Sequence, residues 1–119
     1  MKKLILTSVF TLVLSAGSAL AAGVIAVDAQ VGDTAEETGY GVGFGATVAD
    51  ATREAMKFCK SYGNDDCDVG VSFEKGECAA YAVSRDYYGI GHGIREDLAV
   101  KRAIEDCDDN CKLVTSACD

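Results

Sequence analysis

The sequence predicts an α+β domain built as a duplicated ββαβ unit, with a mainly antiparallel sheet, two short helices and disulfide stabilisation. Three observations carry that prediction. Tyr40-Gly41-Val42-Gly43-Phe44-Gly45 recurs 48 positions later as Tyr88-Gly89-Ile90-Gly91-His92-Gly93. At the same offset Ala51 meets Ala99, Ala55 meets Ala103, Met56 meets Ile104 and Cys59 meets Cys107. Six cysteines in 119 residues supply cross-links to a chain too short for a large core. A repeat of this kind means that one supersecondary unit has been built twice.

The first 21 residues read as a secretory signal that precedes the fold. Lys2 and Lys3 form a positive start, Leu4 to Leu14 a short apolar run, and Ala19-Leu20-Ala21 a small-x-small cleavage site. Residues 22–119 then form a single domain, with repeat halves at about 23–77 and 78–119. Loss of Lys2 and Lys3 takes the formal charge from −8 to −10. That charge argues against nucleic acid and against anionic membrane surfaces, both of which select basic patches.

The elements follow in order. Gly23 to Val27 is a short apolar run ending at Asp28, as expected of a buried strand. Gly32 to Gly39 is acidic, with Asp33, Glu36 and Glu37, and reads as a solvated loop. Tyr40 to Gly45 alternates with period 2, placing Tyr40, Val42 and Phe44 on one face and three glycines on the other, where another backbone can approach. Thr47 is the N-cap of a helix whose apolar face is Ala51, Ala55, Met56 and Cys59, and Gly63 and Asn64 end it. Cys67 to Phe73 is a strand and Lys75-Gly76 a turn.

The order then restarts. Cys78 to Val83 repeats the apolar opening, with a brief turn at Arg85-Asp86. Tyr88 to Gly93 is the second glycine-alternating strand. Arg95 to Asp106 is a helix with Ala99, Val100, Ala103 and Ile104 on one face and Glu96 and Asp97 in its first turn, where the helix dipole favours them. Cys111 to Cys118 closes the chain as a strand.

The duplication selects one cysteine connectivity from the 15 that six cysteines allow. Cys59 and Cys107 end equivalent helices, and Cys67 and Cys111 open the strands that follow. The economical pairing is Cys59–Cys67 and Cys107–Cys111, which leaves Cys78–Cys118. An exported, oxidised protein is the setting in which such bonds persist.

An Ala-Val-Asp strand opening the domain, two Tyr-Gly-x-Gly-x-Gly strands, alanine-rich helices ending in cysteine, and a cysteine-opened Ala-rich strand together resemble the DUF4189 family. The resemblance runs from about Gly23 to Cys118. It implies a small, exported, cysteine-paired bacterial domain, periplasmic or secreted, and it transfers no catalytic residue. The chain departs from the family pattern in lacking Trp and in carrying the acidic loop at Asp33 to Glu37.

Residues that could carry chemistry are few. His92 is the single histidine and occupies the repeat position of Phe44, so it reads as a half-buried ring. Ser84 and Asp86 are the only obvious raw material for a hydrolase built around His92. A zinc site at His92, Cys107 and Cys111 loses to disulfide formation. Asp106-x-Asp108-x-Asn110 imitates a calcium loop but has Cys111 in place of the required glycine and Ala117 in place of the closing Glu. The glycine runs alternate in strict twos and miss the dinucleotide fingerprint. No catalytic, cofactor or metal residues are therefore expected.

Three functions fit this inventory: a non-enzymatic protein-binding module, taking a cationic partner through its acidic loops; a small periplasmic hydrolase using Ser84, Asp86 and His92; and a purely structural envelope protein. The first is the leading expectation, with Tyr87, Tyr88, Glu36 and Glu37 as contact residues.

Overall fold

The computed structural model describes residues 22–28 and 37–119. The expected signal sequence and most of the acidic loop, including Asp33 and Glu36, lie outside the described residues. The first copy comprises β1 (Ala22–Asp28), β2 (Gly39–Gly45), α1 (Val48–Ser61) and β3 (Asp68–Glu74). The second comprises β4 (Cys78–Val83), β5 (Tyr88–Gly93), α2 (Glu96–Cys107) and β6 (Lys112–Cys118). Each copy is ββαβ, as the repeat predicts.

The six strands form two antiparallel sheets of three, ordered β2-β1-β3 and β5-β4-β6. The sequence suggested a sheet beneath two helices. The structure divides it and packs the two halves face to face, with one helix outside each. The physical reason lies in β1 and β4, every residue of which is buried. Along β1, Val24 and Ala26 pack with Ala51, Ala55 and Cys59 of α1, while Ile25 and Val27 point the other way. Along β4, Ala80 and Ala82 pack with Ala99, Ala103 and Cys107 of α2, while Ala79, Tyr81 and Val83 point the other way. Strands covered on both faces read as continuous apolar runs. Docking the two copies buries both inner faces at once, in a layer of Ile25, Val27, Phe73, Ala79, Tyr81 and Val83.

The helices sit directly on the glycine stripes. A Cβ on Gly43 would overlap the Ala55 amide nitrogen, and one on Gly91 would overlap the Ala99 carbonyl oxygen. The alternating glycines therefore seat a helix backbone against a strand backbone. Thr47 caps α1 by accepting the Asp50 N–H at 3.1 Å, and Gly63 follows its end at φ +90°. Arg95 gives α2 no side-chain cap, so its start rests on Glu96 and Asp97 against the dipole.

Both sheets carry a register shift at the same place. Pairing skips Gly70 opposite Ile25/Ala26 and Val114 opposite Tyr81/Ala82. The copy thus extends to an irregularity of the ladder.

All six cysteines are paired, as Cys59–Cys67, Cys107–Cys111 and Cys78–Cys118. The first two close the helix-to-strand corner in each copy. The third joins residues that face each other across β4 and β6. Chain-entropy arithmetic for closed loops of 8, 4 and 40 residues gives about 2.5, 2 and 4 kcal/mol respectively.

Candidate functional site

The principal cleft, of about 540 Å³, opens between the sheets where the β3 corner of the first copy meets β5 of the second. Asp65, Asp66 and Asp68 come from the segment that leaves α1 and enters β3, together with Lys60 from the end of that helix. Val27, Val69, Gly70 and Ile90 supply an apolar lining, and Tyr88 lines the cleft from β5. The Asp66 N–H donates to Oδ2 of Asp28 at 3.0 Å. Asp28 is buried, so this bond pins the acidic segment to the end of β1. The three aspartates are exposed at the mouth. Such an arrangement combines negative charge with an aromatic ring and a partly apolar wall, which suits the head and stem of a basic side chain.

A more open groove of about 320 Å³ lies along β2 of the first copy. Tyr40, the repeat partner of Tyr88, lines it with Gly41, Val42, Phe58, Tyr62 and Thr115. The two tyrosines flank Tyr81, with ring centroids 6.1 Å away on either side. Tyr81 is fully buried, and its hydroxyl finds no hydrogen-bond partner among the described residues. Burial pushes its pKa up to about 12; the Thr38 side chain, close by but outside hydrogen-bonding geometry with the hydroxyl, pulls the other way.

The residues expected to make contacts are not gathered at one site. Tyr88 lies in the acidic cleft. Tyr87 is also exposed, because it stands in the hairpin turn before β5 begins, where neighbouring residues need not alternate. It lines a separate hollow of about 140 Å³ with Ser84, Arg85, Asp86, Asp109 and Asn110. Glu37 is exposed and lines none of these three depressions; Glu36 lies outside the described residues.

Ser84, Asp86 and His92 are likewise apart. Ser84 follows Val83, which pairs with Tyr88, whereas His92 pairs with Ala79 at the other end of the ladder. Four residues of strand separate them, roughly 13 Å. The Ser84 hydroxyl is committed locally, accepting the Tyr87 N–H at 3.0 Å. His92 instead places Nε2 3.1 Å from Oε1 of Glu77. That carboxyl lies below its ordinary pKa, first because the Glu74 N–H bonds to it at 2.7 Å and then because of His92. The pair ties β5 to the turn between the copies. Glu77 was not among the expected residues, because its approach to His92 depends on the β4–β5 register.

Among the described residues, no group of three or more His, Cys, Asp or Glu side chains converges as metal ligands. No described helix is long and apolar enough to cross a membrane.

No curated protein and no solved structure matches the chain. The model of the family described as "Domain of unknown function (DUF4189)" matches residues 22–118, from the first residue of β1 to the last of β6. By that match, the chain belongs to the DUF4189 family.

Proposed function

We propose that this domain is a non-enzymatic binding module that works in an oxidising space outside the cytoplasm and takes a cationic protein in the cleft between its two copies. The carrying observation is the composition of that cleft: Asp65, Asp66 and Asp68 beside Tyr88 and an apolar lining, in about 540 Å³. Three disulfides favour the compartment and give the cleft a rigid frame. The overall formal charge of −8 favours encounter with a basic partner. Lys60, the one cation among the described residues lining the cleft, stands on the α1 side and leaves the Tyr88 side to an incoming basic group.

The test is titration with a lysine-rich peptide at low and high salt, for the unaltered protein and for Asp65→Asn/Asp66→Asn/Asp68→Asn. The Asp66 backbone bond to Asp28 survives these changes, so the cleft keeps its shape. Exposed charge pairs contribute ~0.2–1 kcal/mol each, so the triple variant should bind roughly tenfold more weakly and lose most of its salt sensitivity. Equal, salt-insensitive binding by both proteins would remove the basis for this reading.

A further inference from the structure

The outer edge of β5 is sealed, whereas the equivalent edge of β2 is open. Each is a border strand of its sheet. On β5 the outward Ile90 N–H donates to Oδ2 of Asp106 at 3.0 Å, and the outward His92 carbonyl accepts from Nη1 of Arg102 at 2.8 Å. Two side chains one turn apart on α2 thus occupy the groups to which another strand would bind.

The repeat offset shows what the first copy has instead. Ile90 corresponds to Val42, His92 to Phe44, Arg102 to Glu54 and Asp106 to Phe58. The register agrees, since Val42 faces Ile25 as Ile90 faces Tyr81. Phe58 cannot accept a hydrogen bond and Glu54 cannot donate one. Among the described residues no side chain bonds to the Val42 N–H or the Phe44 carbonyl. The other two borders carry different protection: β3 and β6 each contain the ladder irregularity and bear charges, Asp68 and Glu74 on one and Lys112 on the other. By contrast β2 is Gly-Tyr-Gly-Val-Gly-Phe-Gly, uncharged and in regular register. Among the described residues, it is the one border that shows none of these devices by which edge strands avoid pairing. Alongside it runs the groove lined by Phe58 and Tyr62, which are 43% and 73% exposed.

We infer that β2 pairs with β2 of a second copy of this chain, giving a twofold dimer with a continuous six-stranded sheet. The alternating N–H and C=O groups at Tyr40, Val42 and Phe44 form a row that matches another extended backbone. A second β2 has the same length and pattern, and β1 already holds it extended, so little ordering entropy opposes the union. A twofold axis through Val42 sets each Val42 N–H against the partner's Val42 carbonyl and Tyr40 opposite Phe44. The contact is isologous and closes at two chains. It also brings the exposed Phe58 side chains of both α1 helices together over the junction. The inference is independent of what the acidic cleft binds.

Sedimentation velocity over a concentration series tests it. The purified protein should sediment as a dimer that dissociates on dilution and strengthens with salt, because salt screens two acidic chains from one another. The double variant Glu54→Arg/Phe58→Asp transplants the β5 seal onto β2. It should be monomeric at concentrations where the unaltered protein is dimeric, its dissociation constant raised roughly tenfold or more, with the near-ultraviolet circular dichroism retained. This variant is less negatively charged than its parent, so charge repulsion would not account for the change. If the double variant fails to fold, Tyr62→Lys, on a side chain already at the surface, is the second probe and should also be monomeric. A protein that stays monomeric throughout the series, including one that accepts only a foreign extended peptide at β2, overturns the inference. So does a dimer that persists in folded variants.

Discussion

The two copies share a frame to the level of a skipped residue in the ladder, yet they are finished differently. Copy two is bound and sealed: Cys78 and Cys118 clamp its sheet where copy one has Ala22 opposite Glu74. Its border strand is capped by Arg102 and Asp106, where copy one has Glu54 and Phe58. Its inner layer holds the unpartnered Tyr81 hydroxyl where copy one has Ile25. Its helix exits through Asp108 at φ 88° and Asn110 at φ 53°, where copy one has a longer connection containing Gly63. Duplication thus leaves the shared fold to be secured by both halves and frees single positions to diverge. In copy one the divergent positions face solvent at the acidic corner and the open border.

The largest expected effect comes from the clamp that copy one lacks. Cys78→Ala/Cys118→Ala should lose about 4 kcal/mol, against about 2 for Cys107→Ala/Cys111→Ala, as measured by guanidinium unfolding without reductant. An equal loss from both would break the claim that the long bond distinguishes the second copy. Next is the helix exit. Asp108 at φ 88°, ψ −87° lies near the γ-turn conformation, which side chains resist. Asp108→Gly should therefore raise stability by about 1 to 2 kcal/mol in the same assay. No gain would show that the second copy carries no strain where the first has glycine.

The smallest effect concerns the inner layer. Tyr81→Phe removes a buried hydroxyl without a partner and should stabilise by about 1 kcal/mol near neutral pH. It also makes a pH prediction. The Tyr81 phenol ionises near 10 in the unfolded chain and near 12 in the fold. Its contribution to stability is therefore level below pH 10 and declines as pH rises from 10 towards 12. Thermal melts over that window should show a shallower decline for Tyr81→Phe than for the unaltered protein. Parallel declines would mean that Tyr81 is not the group that makes the second copy sensitive to alkali.

Much of the fold was legible in the chain because its signals are local or repeated. Period-2 glycines, alanines at helical spacing and cysteines at equivalent corners gave the order of elements and all three bonds. The division into two sheets was less accessible. Alternation says that a face is apolar, but not whether a helix or another sheet covers it; only the unbroken apolar runs of β1 and β4 hinted at two-sided cover. The cleft was legible in pieces. Asp65, Asp66 and Asp68 lie close together in the chain and Tyr88 was expected as a contact residue, but their meeting depends on how two sheets dock. The sealing of β5 was hidden more deeply. Arg102 and Asp106 look like ordinary solvated charges until the register shows what lies beside them, although their replacement by Glu54 and Phe58 at the repeat offset is the trace that could have prompted the question.

The turn that joins the two copies has a position with a practical consequence. Ala22 at the start of β1 pairs with Glu74, and the Asp119 N–H bonds to the Glu77 carbonyl, so the start of β1, the end of β6 and that turn gather at one pole. The acidic cleft takes Val27 from β1, five residues or roughly 17 Å towards the opposite pole. A fluorescent reporter carried on the Lys75-Gly76 turn would project from that blunt side of the molecule and leave the acidic mouth clear.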